Sequence, residues 1–136
     1  MISMFEYCSS LESLNLFSLN TSNVENMSFM FRDCSSLKKI NLSLFETDKV
    51  KDLSYMFMDC SSLNSIDLSS FNTINVNNMS HLFDSCSSLQ SINIAQFKTN
   101  DSTNVWNMFE GCSSLTKENV KMDADDENIL NELSYL

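Results

Sequence analysis

The chain of 136 residues has no proline and a single glycine, Gly111. Its turns must therefore be built by serine, asparagine and aspartate, whose side chains bond to the nearby backbone. It also has no apolar run near the roughly 20 residues that a bilayer-spanning helix needs, so we expect no membrane insertion. No basic leader followed by an apolar stretch opens the sequence, and we expect no signal peptide or anchor within this chain.

Positive charge is scarce as well. Eight lysine and arginine residues face eighteen aspartate and glutamate residues, which gives a formal net charge of -10. The phosphates of nucleic acid and of an anionic membrane surface would repel such a chain, so neither is an expected partner. Neutral or basic partners remain.

What the sequence does contain is a repeat of fixed length. One phenylalanine, one cysteine and one leucine recur in each of five copies, with a serine pair between the cysteine and the leucine. The cysteines are Cys8, Cys34, Cys60, Cys86 and Cys112, and the numbers of successive cysteines differ by 26 in every case. We call this step the repeat period. A fixed period between about 20 and 50 residues is typical of solenoids and similar arrays, in which each unit is stable only when stacked on its neighbours.

Each repeat predicts two elements. Residues 37–42 have the L-x-x-L-x-L spacing of a short parallel strand, with Ile40 directed inward and Lys39 and Asn41 outward. The other half has apolar spacing that fits one stripe of a short helix, formed by Val24, Met27, Met30, Phe31 and Cys34. Because packed helices need more room than strands, such an array is expected to curve with its strands on the concave side.

The shared pattern M-F-x-x-C-S-S-L-x-x-L-x-L resembles the BspA-like leucine-rich repeats of bacterial and protist surface proteins, from Met1 to about Val120. The resemblance implies an α/β repeat solenoid with short parallel strands on the concave face and short helices on the convex face. It also implies a surface-exposed, non-enzymatic role in adhesion or partner binding. Ordinary leucine-rich repeats place asparagine or cysteine after the strand, whereas this chain has Leu19, Phe45, Phe71 and Phe97, which predicts a phenylalanine stack in place of an asparagine ladder.

The cysteines are interpreted as buried, reduced packing residues. All five share one setting, which does not fit a single nucleophile, and no C-x-x-C or H-x-x-x-H spacing suggests a metal site. Parallel projection fits disulfide geometry poorly. We therefore predict no cofactor and no metal, and no enzymatic activity, because no polar cluster outside the repeat is visible in the sequence.

Two residues that occur once are interpreted as structural. His81 has no acidic partner in register and is expected on a helix surface. Trp106 takes the repeat position of Ser28, Ser54 and Ser80, predicted to face outward, where it either packs against the C-terminal tail or contacts a partner.

The repeat ends near residue 122, and residues 123–136 form a tail that predicts a capping helix. The acidic stretch at its start is expected to stabilise the helix N-terminus, since it lacks the glycine and distal glutamate of a calcium loop. At the other end, Phe5, Cys8 and Leu11 are expected to be partly uncovered.

The outward strand positions form the candidate binding site. They fall in two columns on the predicted concave face: Ser13, Lys39, Ser65 and Ser91, beside Asn15, Asn41, Asp67 and Asn93, which Lys117 and Asn119 extend. Amide and hydroxyl columns suit weak, multivalent contacts with a protein or glycan at a cell surface. The alternative function is an intracellular interaction scaffold, which free cysteines and the missing export signal favour.

Overall fold

The computed structural model describes all 136 residues. Its regular elements are few and short: the strands β1 (Ser65–Asp67), β2 (Ser91–Asn93) and β3 (Val120–Lys121), a 3-10 turn at Lys117–Asn119, and one helix, α1 (Glu127–Leu133). The three strands form one parallel sheet in chain order. No helix in the structure has the length and apolar character needed to cross a bilayer.

The repeats stack in the register that the sequence predicts. Ile66 lies opposite Ile92 in the sheet, which is its equivalent in the next repeat. On the other side of each repeat, a column of isolated parallel bridges keeps the same period and joins Asn26, Asp52, Asn78 and Asn104. Both sides of each repeat are therefore hydrogen-bonded to the next repeat.

The prediction of a short helix in the other half of each repeat is wrong. Residues 27–37 of the second repeat, and their equivalents in the other repeats, form consecutive tight turns that we call the turn segments. Met30 N–H donates to Met27 C=O at 3.3 Å, and Cys34 N–H donates to Phe31 C=O at 3.2 Å. These bonds span three residues, whereas an α-helix bonds across four.

Backbone geometry explains the difference. Phe29 and Asp33 have φ angles of 59° and 57°, and their equivalents in the other repeats have φ between 55° and 69°. A right-handed helix has negative φ throughout. Each of these residues takes the third position of a turn of type II, which requires positive φ. The amide groups between them point along the stack: Phe31 N–H donates to Met56 C=O in the next repeat at 2.9 Å.

This arrangement also removes the reason for predicting a concave strand face. The turn segments are joined from repeat to repeat by backbone hydrogen bonds, as the strands are, so the wider spacing of packed helices does not occur. We therefore call the predicted binding face the strand side of the stack, a name that implies no curvature.

A single core of 33 buried apolar residues runs through the stack. Its main column is a series of parallel phenylalanine rings, in which Phe57 lies 5.5 Å from Phe31 and 5.6 Å from Phe83 between ring centroids. The predicted stack after the strand also exists in part, since Phe45 and Phe71 are buried and their centroids lie 6.3 Å apart. Offset stacking of this kind adds to the energy of burial.

Buried threonines join neighbouring repeats. The hydroxyl of Thr73 donates to Lys98 C=O at 3.0 Å and accepts from Lys98 N–H at 2.7 Å. Thr21 and Thr47 make the same pair of bonds to Glu46 and Asn72. Each hydroxyl thus satisfies a donor and an acceptor of the next repeat, and together they form a threonine ladder.

Helix α1 ends this ladder and lies within the predicted tail. Asp126 is its N-cap and accepts from Ile129 N–H at 3.2 Å. The same carboxylate accepts from Thr99 N–H at 2.9 Å and from the Thr99 hydroxyl at 2.7 Å. Ile129 and Leu133 are buried in the core, so α1 covers part of the last repeat.

The last strand is shifted relative to the repeat period. The 3-10 turn at Lys117–Asn119 lengthens the final repeat, so that Ile92 pairs with Val120 rather than with Glu118, its equivalent by the repeat period. Lys117 and Asn119 therefore do not extend the two outward columns as predicted. The reason is that Glu118 falls in a position that holds an inward apolar residue in the other repeats, and the turn replaces it with the apolar Val120.

Candidate functional site

The strand side carries a shallow groove of about 400 Å³ across three repeats. We call it the strand-side groove. It brings together five of the eight predicted site residues, over a floor of isoleucines. The lining residues are Lys39, Ser65, Asp67, Ser91 and Asn93, with Ile40, Ile66 and Ile92 beneath them. Ser13, Asn15 and Asn41 lie outside the groove but are also exposed.

The two columns of predicted residues have different roles. In the asparagine and aspartate column, each side-chain oxygen accepts the backbone N–H two residues on: Asn15 from Phe17, Asn41 from Ser43, Asp67 from Ser69 and Asn93 from Ala95, at 2.9–3.2 Å. These residues form the turns that end the strand segments. By contrast, the side chains of Lys39, Ser65 and Ser91 make no hydrogen bond within the protein and are free to contact a partner.

The only carboxylate in the groove is held in its ionised form. Hydrogen bonds from Ser69 lower the pKa of Asp67, with smaller effects from Asn93 and Lys121. The groove therefore presents an anion between hydroxyl groups and the Lys39 ammonium, a polar surface that suits hydrogen-bonding ligands.

Four of the five cysteines are buried, as predicted, and all five are free thiols. Each buried thiol donates to the carbonyl of a phenylalanine in the preceding repeat, as Cys60 does to Phe31 at 3.1 Å. Burial raises the pKa of Cys34 to about 11 and that of Cys112 to about 12, and raises those of Cys60 and Cys86 as well. These thiols are protonated at neutral pH and suit packing better than chemistry.

Cys8 is the exception, because it is exposed on the first repeat. Phe5 and Leu11 of the same repeat are half-buried, as predicted. The exposure of Cys8 agrees with the prediction that this residue is partly uncovered, while the prediction of buried packing thiols holds for the other four.

The structure also contains a polar cluster that the sequence did not reveal. His81 Nδ1 lies 2.8 Å from Asp84 Oδ2, and the Ser85 hydroxyl donates to the other oxygen of the same carboxylate at 2.8 Å. The prediction that His81 lacks an acidic partner is therefore wrong. The sequence signal for this pair was the separation of three residues between His81 and Asp84, which one tight turn brings together. The serine bonds to aspartate rather than to histidine, so the geometry does not activate a nucleophile.

His81 also belongs to an outer row of aromatic rings. It stacks on Tyr55 at 4.7 Å and meets Trp106 edge to face at 4.9 Å, and Tyr55 stacks on Phe29 at 4.8 Å. With side chains only 12% and 10% exposed, His81 and Asp84 form a structural pair within the stack.

Trp106 does not follow the serines whose position it shares. Ser28, Ser54 and Ser80 are buried and donate to Asn26, Asp52 and Asn78, so the prediction that this position faces outward is wrong for them. Trp106 itself is 62% exposed and lines a cavity with Tyr135 and Leu136 of the tail. No group of three or more histidine, cysteine, aspartate or glutamate residues is arranged to hold a metal ion.

The model of the family described as "Mycoplasma protein of unknown function, DUF285" matches residues 1–124. The chain belongs to the DUF285 family. The match covers all five cysteines and ends just before α1. No curated protein and no solved structure matches this DUF285 chain.

Proposed function

We propose that this DUF285 chain is a non-enzymatic binding module, a BspA-like leucine-rich repeat solenoid that contacts a protein or glycan partner through the strand-side groove. The observation that supports it most is the groove itself. Free hydroxyl and ammonium groups from successive repeats line one depression over an apolar floor. Such repeated polar positions favour weak contacts that add up along an extended ligand.

Adhesion at a cell surface is part of the same proposal and depends on the resemblance to BspA-like proteins. The alternative, an intracellular scaffold, is favoured by one specific observation: all five cysteines are free. Disulfides form and persist in oxidising compartments, whereas free thiols are usual in reducing ones. Four of these thiols are buried, however, and burial protects them from oxidation in either compartment.

The test is a binding comparison on two panels, a glycan array and a set of immobilised extracellular matrix proteins. Ser65→Arg with Ser91→Arg fills the groove, and neither serine makes a hydrogen bond that the change would break. The matched control is Ser18→Arg with Gln96→Arg, which adds the same charge at exposed positions that do not line the groove.

We expect the groove variant to lose at least tenfold in apparent affinity for any ligand that the unmodified chain binds, while the control variant retains binding. Equal binding by both variants would move the binding face elsewhere. Absence of binding on both panels would contradict the adhesive role and favour the scaffold.

A further inference from the structure

A second surface feature lies at the C-terminal end of the stack, away from the strand-side groove. It is a cavity of about 530 Å³ between the last turn segment and the tail. The residues that matter here are Trp106, Phe109, Glu110 and Gly111 from the turn segment, and Glu132 and Tyr135 from the tail. We call it the end cavity.

Two backbone donors of the end cavity are unpaired. Within the stack, Phe83 N–H donates to Met108 C=O at 2.9 Å and Ser85 N–H donates to Glu110 C=O at 2.7 Å. The equivalent groups one repeat later belong to Phe109 and Gly111, and they donate to no acceptor in the protein. A peptide backbone placed there would continue the pattern of hydrogen bonds, as in recognition by strand addition.

The first two repeats show which side chain can lie against a turn segment at the equivalent place in the stack. Arg32, the only arginine, lies over the rings of Tyr7 and Phe29 at 5.6 and 5.7 Å from their centroids. Its guanidinium pairs with Glu6 in the preceding repeat at 3.5 Å and with Asp33 at 3.3 Å. A planar cation is thus held between carboxylates and aromatic rings.

The end cavity also combines carboxylates with aromatic rings, but the repeat positions of Tyr7 and Phe29 hold Gly111 and Asn107 there, so Trp106 and Tyr135 supply the exposed rings. Glu110 occupies the repeat position of Glu6 but forms no ion pair, and no lysine or arginine lines the cavity. Glu132 provides a carboxylate on the opposite wall, where it accepts from Met108 N–H at 3.1 Å. The indole of Trp106 and the ring of Tyr135 are 62% and 84% exposed.

We propose that the end cavity binds an arginine side chain of a partner peptide, with its guanidinium between Glu110 and Trp106. The backbone carbonyls of the same peptide accept from Phe109 N–H and Gly111 N–H. Arginine is preferred over lysine because a planar guanidinium both stacks on an indole and bonds to a carboxylate in bidentate fashion. This site is separate from the strand-side groove, and its test does not depend on the function proposed for that groove.

The test uses ¹H–¹⁵N NMR of the full chain, in which Trp106 gives the only indole N–H signal. The probe is the capped tripeptide acetyl-Gly-Arg-Gly-amide, titrated at fixed ionic strength. Matched peptides replace arginine with lysine or with citrulline, a neutral side chain of similar shape. We expect saturable shifts of the Trp106 indole and of the Phe109 and Gly111 amides, with a Kd at least fivefold lower for arginine than for either replacement.

Two variants locate the site. Glu110→Gln should raise the Kd of the arginine peptide at least fivefold, since it removes the unpaired carboxylate while leaving the fold unchanged. Asp101→Asn removes the same charge from an exposed position outside the cavity and should leave the Kd unchanged. Equal affinity for the citrulline or lysine peptide, equal effects of the two variants, or shifts spread over the acidic surface without saturation would each overturn the proposal.

Discussion

The threonine ladder gives the sharpest prediction about stability. Thr73 is 1% exposed, and its hydroxyl makes two hydrogen bonds to the backbone of the next repeat. Thr73→Val keeps the shape of the side chain but leaves Lys98 N–H and C=O without partners. At about 1 kcal/mol for each bond, the loss is about 2 kcal/mol, rising to about 4 kcal/mol if both groups are kept from water.

Thr73→Ser is the matched control, because it retains the hydroxyl and removes one methyl group. Its expected cost is about 1 kcal/mol, from lost apolar burial. Urea denaturation followed by the fluorescence of Trp106 measures both variants. With a typical slope of about 2 kcal/mol per molar urea, the valine variant should lower the midpoint by about 1 M and the serine variant by about half as much. A serine variant as unstable as the valine variant would refute the role assigned to the hydroxyl.

Three further predictions follow from the ends of the stack and from its buried groups. In native protein, a thiol reagent should modify Cys8 quickly and the other four cysteines only on unfolding, because burial raises their pKa values; fast labelling of a second cysteine would contradict this. Asp126→Ala should lower the free energy of unfolding by about 2 kcal/mol, whereas the exposed Asp125→Ala should change it by less than about 0.5 kcal/mol in the same urea assay. Burial raises the pKa of Glu132, so the folded state holds the carboxyl proton more tightly than the unfolded chain does. The stability that this proton contributes at low pH is lost as the pH rises through the unfolded and then the folded pKa of Glu132. Glu132→Gln should therefore raise the urea midpoint above that of the unmodified chain at pH 7, and by less at pH 3. An effect of the same size at both pH values would contradict the assignment.

The repeat and its register could be predicted from sequence because like residues recur at a fixed step, and columns of like residues must stack. The buried Phe57 and Cys60 follow from that alone. The shift of β3 had a visible signal, since Glu118 falls in an inward position and Val120 is the next apolar residue. The pairing of repeats through Thr73 also had a signal in the sequence, because threonine recurs in the same register.

The helices were predicted wrongly for a physical reason. Apolar residues spaced by three and four, such as Met27, Met30 and Phe31, face one side in a helix and also in a series of tight turns. The deciding property is the positive φ at Phe29 and its equivalents. Glycine or asparagine usually marks such positions, and the last repeat has both, as Asn107 and Gly111, whereas the aromatic residues Phe29 and Tyr55 give no such signal. The stacking of these rings along the outer row accompanies that backbone conformation in the structure.

For the candidate site, the sequence predicted the exposure of side chains better than their local role. Seven of the eight predicted residues are exposed and Asn93 is half-buried. Sequence could not separate residues that form turns, such as Asn41, from residues that are free, such as Ser65. That distinction depends on which backbone N–H lies within reach of a side-chain oxygen. The end cavity was beyond prediction, because it arises where α1 covers only part of the last repeat.

The central feature of this fold is that its repeats stack one full period apart through turns rather than helices. Proton–proton nuclear Overhauser contacts test this directly. We predict contacts between the rings of Phe31 and Phe57 and of Phe57 and Phe83, together with contacts between Ile66 and Ile92. Ring contacts at any other step, or a continuous series of helical contacts between residues three and four apart across residues 27–34, would contradict it.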